Sequence, residues 1–333
     1  MRYVVTGGAG FIGSHITAAL LERGHEVVVV DNLFSGKREN LRGAQSDVRS
    51  EDPGELTFVQ ADILDRKAMT AALQGAAAVF HEAAIASVPR SFAQPTATLR
   101  ANIEGTAQLL EVCRSTGVQR VVMASSSSLY GDTPTLPKHE DMTLAPLSPY
   151  ALSKLVDEQL LRMWAREYGL ETVALRYFNI FGPRQDPASE YAAVIPKFIT
   201  RMLAGQAPTI FGDGLQSRDF TFIDNAVAAN LLAAGVDDEQ EFRAGGQAMN
   251  IGVGERYTLL DVVEALNTIL GTTIEPELAP ARMGDVRDSL ASIARARELI
   301  GYEPRVTFHQ GLERTVAWFS AQAGSSLLAA VAI

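Results

Sequence analysis

Residues 1–31 read MRYVVTGGAGFIGSHITAALLERGHEVVVVD, and this stretch decides the fold. Residues 2–5 lack polar–apolar alternation, the pattern of a strand buried on both faces. Gly7, Gly10 and Gly13 follow at once, and a helical stretch then runs to Gly24. A second β-branched strand, Glu26 to Asp31, ends on an acid. Small residues in such a turn let the backbone approach a pyrophosphate, and the helix N-terminus then faces its negative charge. A tight strand–helix turn without a ligand can carry the same glycines. The strand before them, the helix after them and Asp31 beyond favour a dinucleotide site. Asp31 is placed to accept hydrogen bonds from ribose hydroxyls and to repel a 2′-phosphate, which favours NAD over NADP. Lys37 and Arg38 lie close by in sequence and weaken that preference. Asp62, after a later strand, is read either as an adenine contact or as a plain capping residue.

Further along, strands are read at 56–60, within AAAVFHEAA (76–84), from Gln119 to Ala124 and at 171–179. Between them lie a polar loop, NLFSGKREN, and helices at 65–74, 99–115 and Tyr150 to Tyr168. On that last helix Leu152, Val156, Leu160 and Met163 are read as partly lining one side. Strands alternating with helices predict a doubly wound parallel sheet of the α/β class, covered on both faces. After FGPRQDP the texture changes to prolines, glycines and short elements: helices at 196–204, 224–235, 258–270 and 291–299, and a strand at 248–253. The expected organisation is a dinucleotide-binding domain over 1–179 to which 218–252 returns. A smaller mixed α/β lobe takes 180–217 and 253–320, and 321–333 form a C-terminal tail.

The 333 residues, 47% hydrophobic, can build a large core. A net charge of -10 argues against a nucleic-acid partner and favours a soluble cytoplasmic protein. Local cations can still hold a small anion. The one cysteine, Cys113, excludes an internal disulfide and is expected inside a helix. MRYVVT reads as a strand rather than a charged leader. No run reaches the roughly 18 apolar residues of a membrane span. The histidines at 15, 25, 81, 139 and 309 show no ligand spacing, so no metal is expected. His15 and His25 are read as flanking the first helix.

The chemistry concentrates in ASSSSLYG (124–131) and SPYALSK (148–154). Tyr150 and Lys154 are four apart near a helix start and project from one face. A tyrosine that takes a proton near neutrality must be more acidic than its free value of about 10, and a neighbouring ammonium favours the phenolate. Such a pair suits proton abstraction from a sugar hydroxyl coupled to hydride transfer to a nicotinamide. Alone, a YxxxK spacing also describes an exposed helix pair; the glycine turn decides against that. The serines 125–128 sit just beyond a strand, where a doubly wound sheet keeps its ligand crevice. The alternative for any one of them is a local turn bond.

Together these motifs, with VVDNLFSGKREN, RYFNIFGPRQ, GDGLQSRDFTFIDN and ARMGDVRDSLA, resemble the extended short-chain dehydrogenase/reductase family over nearly the whole chain. The nearest subgroup is similar to the UDP-sugar 4-epimerases. The resemblance implies an NAD(P)-binding Rossmann fold with a nucleotide-sugar lobe, NAD as cofactor, a UDP-hexose as substrate and a homodimer built on helices 99–115 and 150–168. It implies Ser126, Tyr150 and Lys154 as catalytic residues, with Ser127 orienting substrate. Cofactor contacts are implied at Gly7, Phe11, Ile12, Asp31, Asn32, Ser35, Gly36, Asp62, Ile63, Ala83 and Ala84, with Asn102 and Tyr177 beside the nicotinamide.

Asn179, Arg218 and Arg282 fall where the family grips the UDP phosphates, and Asp285 falls near the uridine ribose. Ser87 and Arg90 belong to a loop beside the hexose. Ser289 stands where a tyrosine narrows the pocket in some members, so both plain and N-acetylated hexoses are expected to fit. The family's dehydratases carry an Asp-Glu pair where this chain has Ser127 and Ser128, so dehydration is not expected. Decarboxylation ranks low for want of an acid in the same loop. The alternatives kept open are 4-epimerisation of a UDP-uronic acid, another nucleotide-sugar 4-oxidoreduction, and a non-enzymatic NAD-binding role.

Overall fold

The computed structural model of the chain describes residues 1–188, 193–236, 243–281 and 286–331, the last eight of these by backbone alone. Strand β1 (Arg2–Thr6) passes through the glycine turn into α1 (Phe11–Glu22), and β2 (Glu26–Val30) pairs beside β1 in parallel. Helix α2 (Arg38–Asp47) leads to β3 (Leu56–Val59), the outer strand on that side. Helix α3 (Arg66–Leu73) returns the chain to β4 (Ala78–His81), on the opposite side of β1. Next come the short helices α4 (Val88–Ala93) and α5 (Pro95–Leu99), a π-helical turn at Arg100–Glu104 and α6 (Gly105–Thr116). The sheet then extends through β5 (Arg120–Ser126), α7 (Pro149–Tyr168) and β6 (Glu171–Tyr177).

The smaller part begins with β7 (Ile180–Phe181), α8 (Val194–Leu203), β8 (Thr209–Phe211), β9 (Ser217–Arg218) and β10 (Thr221–Phe222). Helix α9 (Ile223–Ala234) brings the chain back, and β11 (Gln247–Ile251) pairs with β6 as the seventh parallel strand. The rest is β12 (Tyr257–Thr258), α10 (Leu259–Leu270), β13 (Glu277–Ala279), α11 (Ala294–Ile300) and α12 (Phe308–Val331). Short ladders join β13 to β8 in parallel and β12 to β9 in antiparallel fashion. Phe181, Phe220, Phe222 and Phe308 pack ring against ring at their core, and Tyr257 stacks on Phe308 at 4.2 Å.

The sheet order is β11-β6-β5-β4-β1-β2-β3. The chain runs first to one side of β1 and then to the other, so a crevice opens at the C-terminal ends of β1 and β4. Val27–Val30 and Val4–Val5 are fully or almost fully buried, as expected of β-branched strands covered on both faces. Ser148 caps α7 by accepting the Ala151 N–H, and Pro149 supplies the first turn.

Several expectations change. The loop read at NLFSGKREN gives way at Arg38 to α2, whose polar sequence buries only Leu41 and Ala44. His15 lies within α1 rather than beside it. Helices α4, α5 and α12 are additions to that reading, and α12 takes in the tail as far as Val331. On α7 the side lined by Leu152 and Met163 faces outward, at 44% and 39% exposure, while Lys154, Asp157 and Glu158 face in. Cys113 is buried in α6 as expected. Among the described residues no helix is long and apolar enough to cross a membrane.

Candidate active site

The glycine turn is held by two main-chain bonds, Gly7 N–H to Val30 O at 2.8 Å and Gly10 N–H to Gly7 O at 3.0 Å. Gly7 has φ +69°, and a Cβ there would lie 2.7 Å from the Ala83 nitrogen. Only glycine satisfies both demands. No side chain caps the N-terminus of α1 at Gly10, so its first N–H groups stay available to an anion. Phe11, Ile12 and Gly13 form that first turn.

Beside it, a cleft of about 290 Å³ brings together Gly7, Gly10, Asp31, Asn32, Ser35, Gly36, Asp62, Ile63, Ala83 and Ala84. Asp31 is fixed by N–H donors from Ala9 (3.0 Å) and Leu33 (2.7 Å), and each of its oxygens keeps a further lone pair. Burial raises its pKa, and these two donors oppose the rise. Gly36 leaves room there, since a Cβ would stand 2.8 Å from either Asp31 oxygen. Lys37 turns away to Asp186 at 2.7 Å, and Arg38 bonds Gln60 at 2.8 Å and lies over the Phe58 ring. Asp62 accepts from Leu64 N–H and from Asn32 Nδ2, so it stiffens the cleft floor.

Asn102 is buried in the π-helical turn. Its Oδ1 accepts from Ile85 N–H at 2.8 Å and its Nδ2 donates to Ser153 Oγ at 2.8 Å, which ties the loop after β4 to α7. Tyr177 donates its hydroxyl to Glu82 and receives Asn230 Nδ2. Glu82 also lines the cleft. Sequence reasoning missed it, although an acid at the end of the apolar run AVFH was a usable signal.

Helix α7 packs against β5 and against the turn at Ser127–Tyr130. Tyr150 sits half-buried in the first turn of α7, and Lys154 is 2% exposed one turn on. The Lys154 charge faces His81 and Glu82 at the end of β4. Burial first, then that lysine, depresses His81 to about 3, so its imidazole is neutral.

The four serines separate by role. Ser125 Oγ is buried and donates to Glu158 at 2.6 Å. Ser126 stands opposite Tyr177 in the β5–β6 ladder and accepts from Ser128 N–H (3.2 Å) and Ser128 Oγ (2.9 Å). Ser127 is half-buried at the start of the following turn. Beneath them Glu158 holds Arg176 by two bonds of 2.9 and 2.7 Å, and Arg176 donates to Tyr130 at 2.8 Å.

A larger cavity of about 700 Å³ opens next to β7, β8 and α8. Asn179 and Arg218 line it, together with Lys197 and Arg201, which sequence reasoning had not singled out. Asn179, at φ +35°, donates to Asp219 O at 3.3 Å. Arg218 bonds the carbonyls of Ser217 and Arg287. The Ser289 N–H donates to Ser217 O at 3.0 Å, which places Ser289 beside this wall. Ser87 caps α4 through Arg90 N–H, and the Arg90 guanidinium lies over the Phe34 ring at 5.1 Å. Arg282 and Asp285 lie outside the described residues.

A doubly wound parallel sheet with an uncapped glycine turn at its switch point, and an acid at the end of the next strand, defines a dinucleotide-binding protein. The comparisons narrow this class. The sequence profile of the NAD dependent epimerase/dehydratase family matches residues 3–252, and the chain belongs to that family. It is 40% identical over 326 residues to the UDP-glucose 4-epimerase of Mycolicibacterium smegmatis, covering 96% of this chain and 98% of the relative. It is similar to the structure of UDP-N-acetylglucosamine 4-epimerase from Methanobrevibacter ruminantium M1 in complex with UDP-N-acetylmuramic acid. There the TM-score is 0.87 with 39% identity, over 96% of this chain and 98% of that one. It is similar too to UDP-glucuronic acid 4-epimerase from Bacillus cereus in complex with UDP-glucuronic acid and NAD (TM-score 0.86, 32% identity, 97% and 100% covered).

Proposed function

We propose that this protein interconverts the C4 epimers of a UDP-hexose, UDP-glucose and UDP-galactose together with their N-acetylated counterparts, with NAD retained in the cleft. The observation that carries this reading is Lys154, buried on the inward face of α7 one turn after half-buried Tyr150, on a helix that packs against β5 and the serine turn. The residues fit the cofactor: the Gly7 cradle that a Cβ would fill, the uncapped α1 N-terminus and the buried Asp31. Gly7, Gly10, Phe11, Ile12, Gly13, Asp31, Asn32, Ser35, Gly36, Asp62, Ile63, Ala83 and Ala84 would hold it, with Asn102, Tyr177, Tyr150 and Lys154 on the nicotinamide side. Bound NAD supplies a reversible acceptor for the C4 hydride.

Tyr150 takes the proton from the 4-hydroxyl and returns it after the 4-keto sugar has turned over. Lys154 favours the phenolate by its charge. Ser126 bridges the sugar hydroxyl and Tyr150, and Ser127 orients the ring. Asn179, Arg218 and Arg282 hold the diphosphate, and Asp285 the uridine ribose, so binding energy remote from C4 tethers the intermediate. Ser87, Arg90 and Ser289 border the hexose. Two copies of the chain pair through the outer faces of α6 and α7.

A panel of UDP-sugars, read for isomerised product and for nicotinamide turnover, tests the reading. Product isomer without net NADH supports it; stoichiometric consumption of NAD(P)H by a keto sugar would replace it with a 4-reductase. Tyr150→Phe is expected to lose about 10²–10⁴-fold in kcat, and a fully active variant would remove Tyr150 from the proton transfer; a wild-type protein that binds NAD and turns over no sugar in the panel would return the chain to a non-catalytic binding role. The second reading is a UDP-uronic acid 4-epimerase, favoured by the likeness to the Bacillus cereus enzyme. UDP-glucuronic acid in the same panel decides between them.

A further inference from the structure

Asp157 lies three residues after Lys154 on α7 and is fully buried. Neither of its oxygens makes a hydrogen bond of good geometry, and only Lys154 and the Thr106 hydroxyl approach the carboxyl as weak donors. A buried carboxylate left in this state is costly and calls for a reason. Its nearest cation is Lys154 Nζ at 3.4 Å. The other titratable groups around it are committed elsewhere. Glu158, next on the same helix, is held by Arg176 and Ser125. Thr106, facing it from α6, turns one hydroxyl toward both Asp157 and His81 Nε2, the latter at 3.0 Å. His81, facing Lys154 from β4, spends its other nitrogen on Thr6 at 2.7 Å and carries no charge. Glu82 faces Lys154 from the cleft side and bonds Tyr177. Among the described residues, the cation that faces Asp157 is thus the lysine of the Tyr–Lys pair, with the Thr106 hydroxyl beside it.

We propose that Asp157 is a positioning residue: it is the internal counter-ion of Lys154, anchoring the ammonium from below and setting how much of its charge acts on Tyr150. The inference rests on the reading of Tyr150 as the proton-transferring group. While Asp157 is ionised it divides the lysine's field; once protonated, or replaced by an isosteric amide, it leaves that field undivided at the phenol. Burial raises the Asp157 carboxyl to about 6, with Lys154 opposing the rise, so the change falls within a range that an assay can span.

The test follows phenolate absorbance of the cofactor-loaded protein, taken as the difference from Tyr150→Phe, in wild type and in Asp157→Asn. The variant's phenolate is expected to form about 1 unit lower in pH. The acid limb of kcat should move with it, and KM for the UDP-sugar should not change. An unmoved titration, or one displaced to higher pH, overturns the proposal. A second measurement does not depend on the folding of that variant. In protein labelled with ¹³C at aspartate carboxyls, the buried Asp157 carboxyl is expected to titrate near 6 and to move upward in Lys154→Met. A carboxyl indifferent to Lys154 refutes the pairing. Failure of the proton-transfer reading is distinct from both: Tyr150→Phe would then keep full activity.

Discussion

Tyr177 Oη donates to Glu82 Oε1 at 2.8 Å, and Asn230 Nδ2 donates in turn to the tyrosine oxygen at 2.7 Å. This chain crosses from the end of β4 to the end of β6 and to α9, binding the cleft to the strand that faces Ser126. Burial lifts Glu82 from 4.5 to about 7, with the Tyr177 bond and the Lys154 charge opposing the rise. The folded state therefore binds more protons than the unfolded chain between those two values. Stability from this group falls as pH rises through that window, and the loss is complete above it. Glu82→Gln removes the titration and keeps an acceptor for Tyr177. Thermal melts across pH 4–8 should show the variant gaining on wild type as pH rises, by up to about 3 kcal/mol from a shift of this size. Parallel curves would show that Glu82 titrates normally.

A second prediction concerns the pair under the serine strand. Arg176 and Glu158 are 3% and 2% exposed at their side chains and are joined by two bonds. Glu158→Ala strands a buried guanidinium and is expected to cost about 3–5 kcal/mol in urea unfolding. Replacing both partners, as Arg176→Met with Glu158→Leu, leaves no orphaned charge and should cost much less. Equal losses in the single and double variants would mean that packing rather than charge dominates this site.

The sheet was legible because its strands are β-branched runs and its first turn needs glycine at Gly7 for a steric reason visible in the spacing. The glycine turn, Asp31 and Asp62 followed from the rule that ligands gather at strand C-termini; the other cofactor-side residues came from the family resemblance, and the cleft assembles ten of the whole set. Helix α2 was hidden because RENLRGAQSD has almost no apolar face. Helix α7 misled for the opposite reason: its inward face carries Lys154, Asp157 and Glu158, so hydrophobic patterning selects the outward one. Polar groups built into the core defeat a pattern that assumes apolar residues face inward. Glu82 and Asp157 escaped on the same ground.

That outward face supplies a third prediction. Leu152 and Met163 are 44% and 39% exposed and share a helical stripe with half-buried Val156 and Leu160. An apolar stripe left in water on a rigid helix fits pairing with a second copy. Leu152→Glu with Met163→Glu should halve the mass measured by light scattering and leave the far-ultraviolet dichroism unchanged. A wild-type protein already monomeric at micromolar concentration would refute the pairing.

The last prediction concerns the hexose. Ser289 is 8% exposed, and its N–H is bonded to Ser217 O beside Arg218, so its Cβ direction is fixed by the backbone. A tyrosine there has little free surface and must push its ring into adjoining space. If that space receives the C2 substituent, Ser289→Tyr removes turnover of UDP-N-acetylglucosamine and spares UDP-glucose. Loss of an acetamido-sized volume from the pocket should discriminate by at least about 10-fold, since a single methylene already contributes about 1–3 kcal/mol. The quantity to compare is the ratio of kcat/KM for the two sugars in wild type and variant. A proportional fall for both would place Ser289 outside the hexose pocket. An unchanged ratio with a raised KM would instead move the residue toward the UDP-binding wall, where Ser217 and Arg218 already stand.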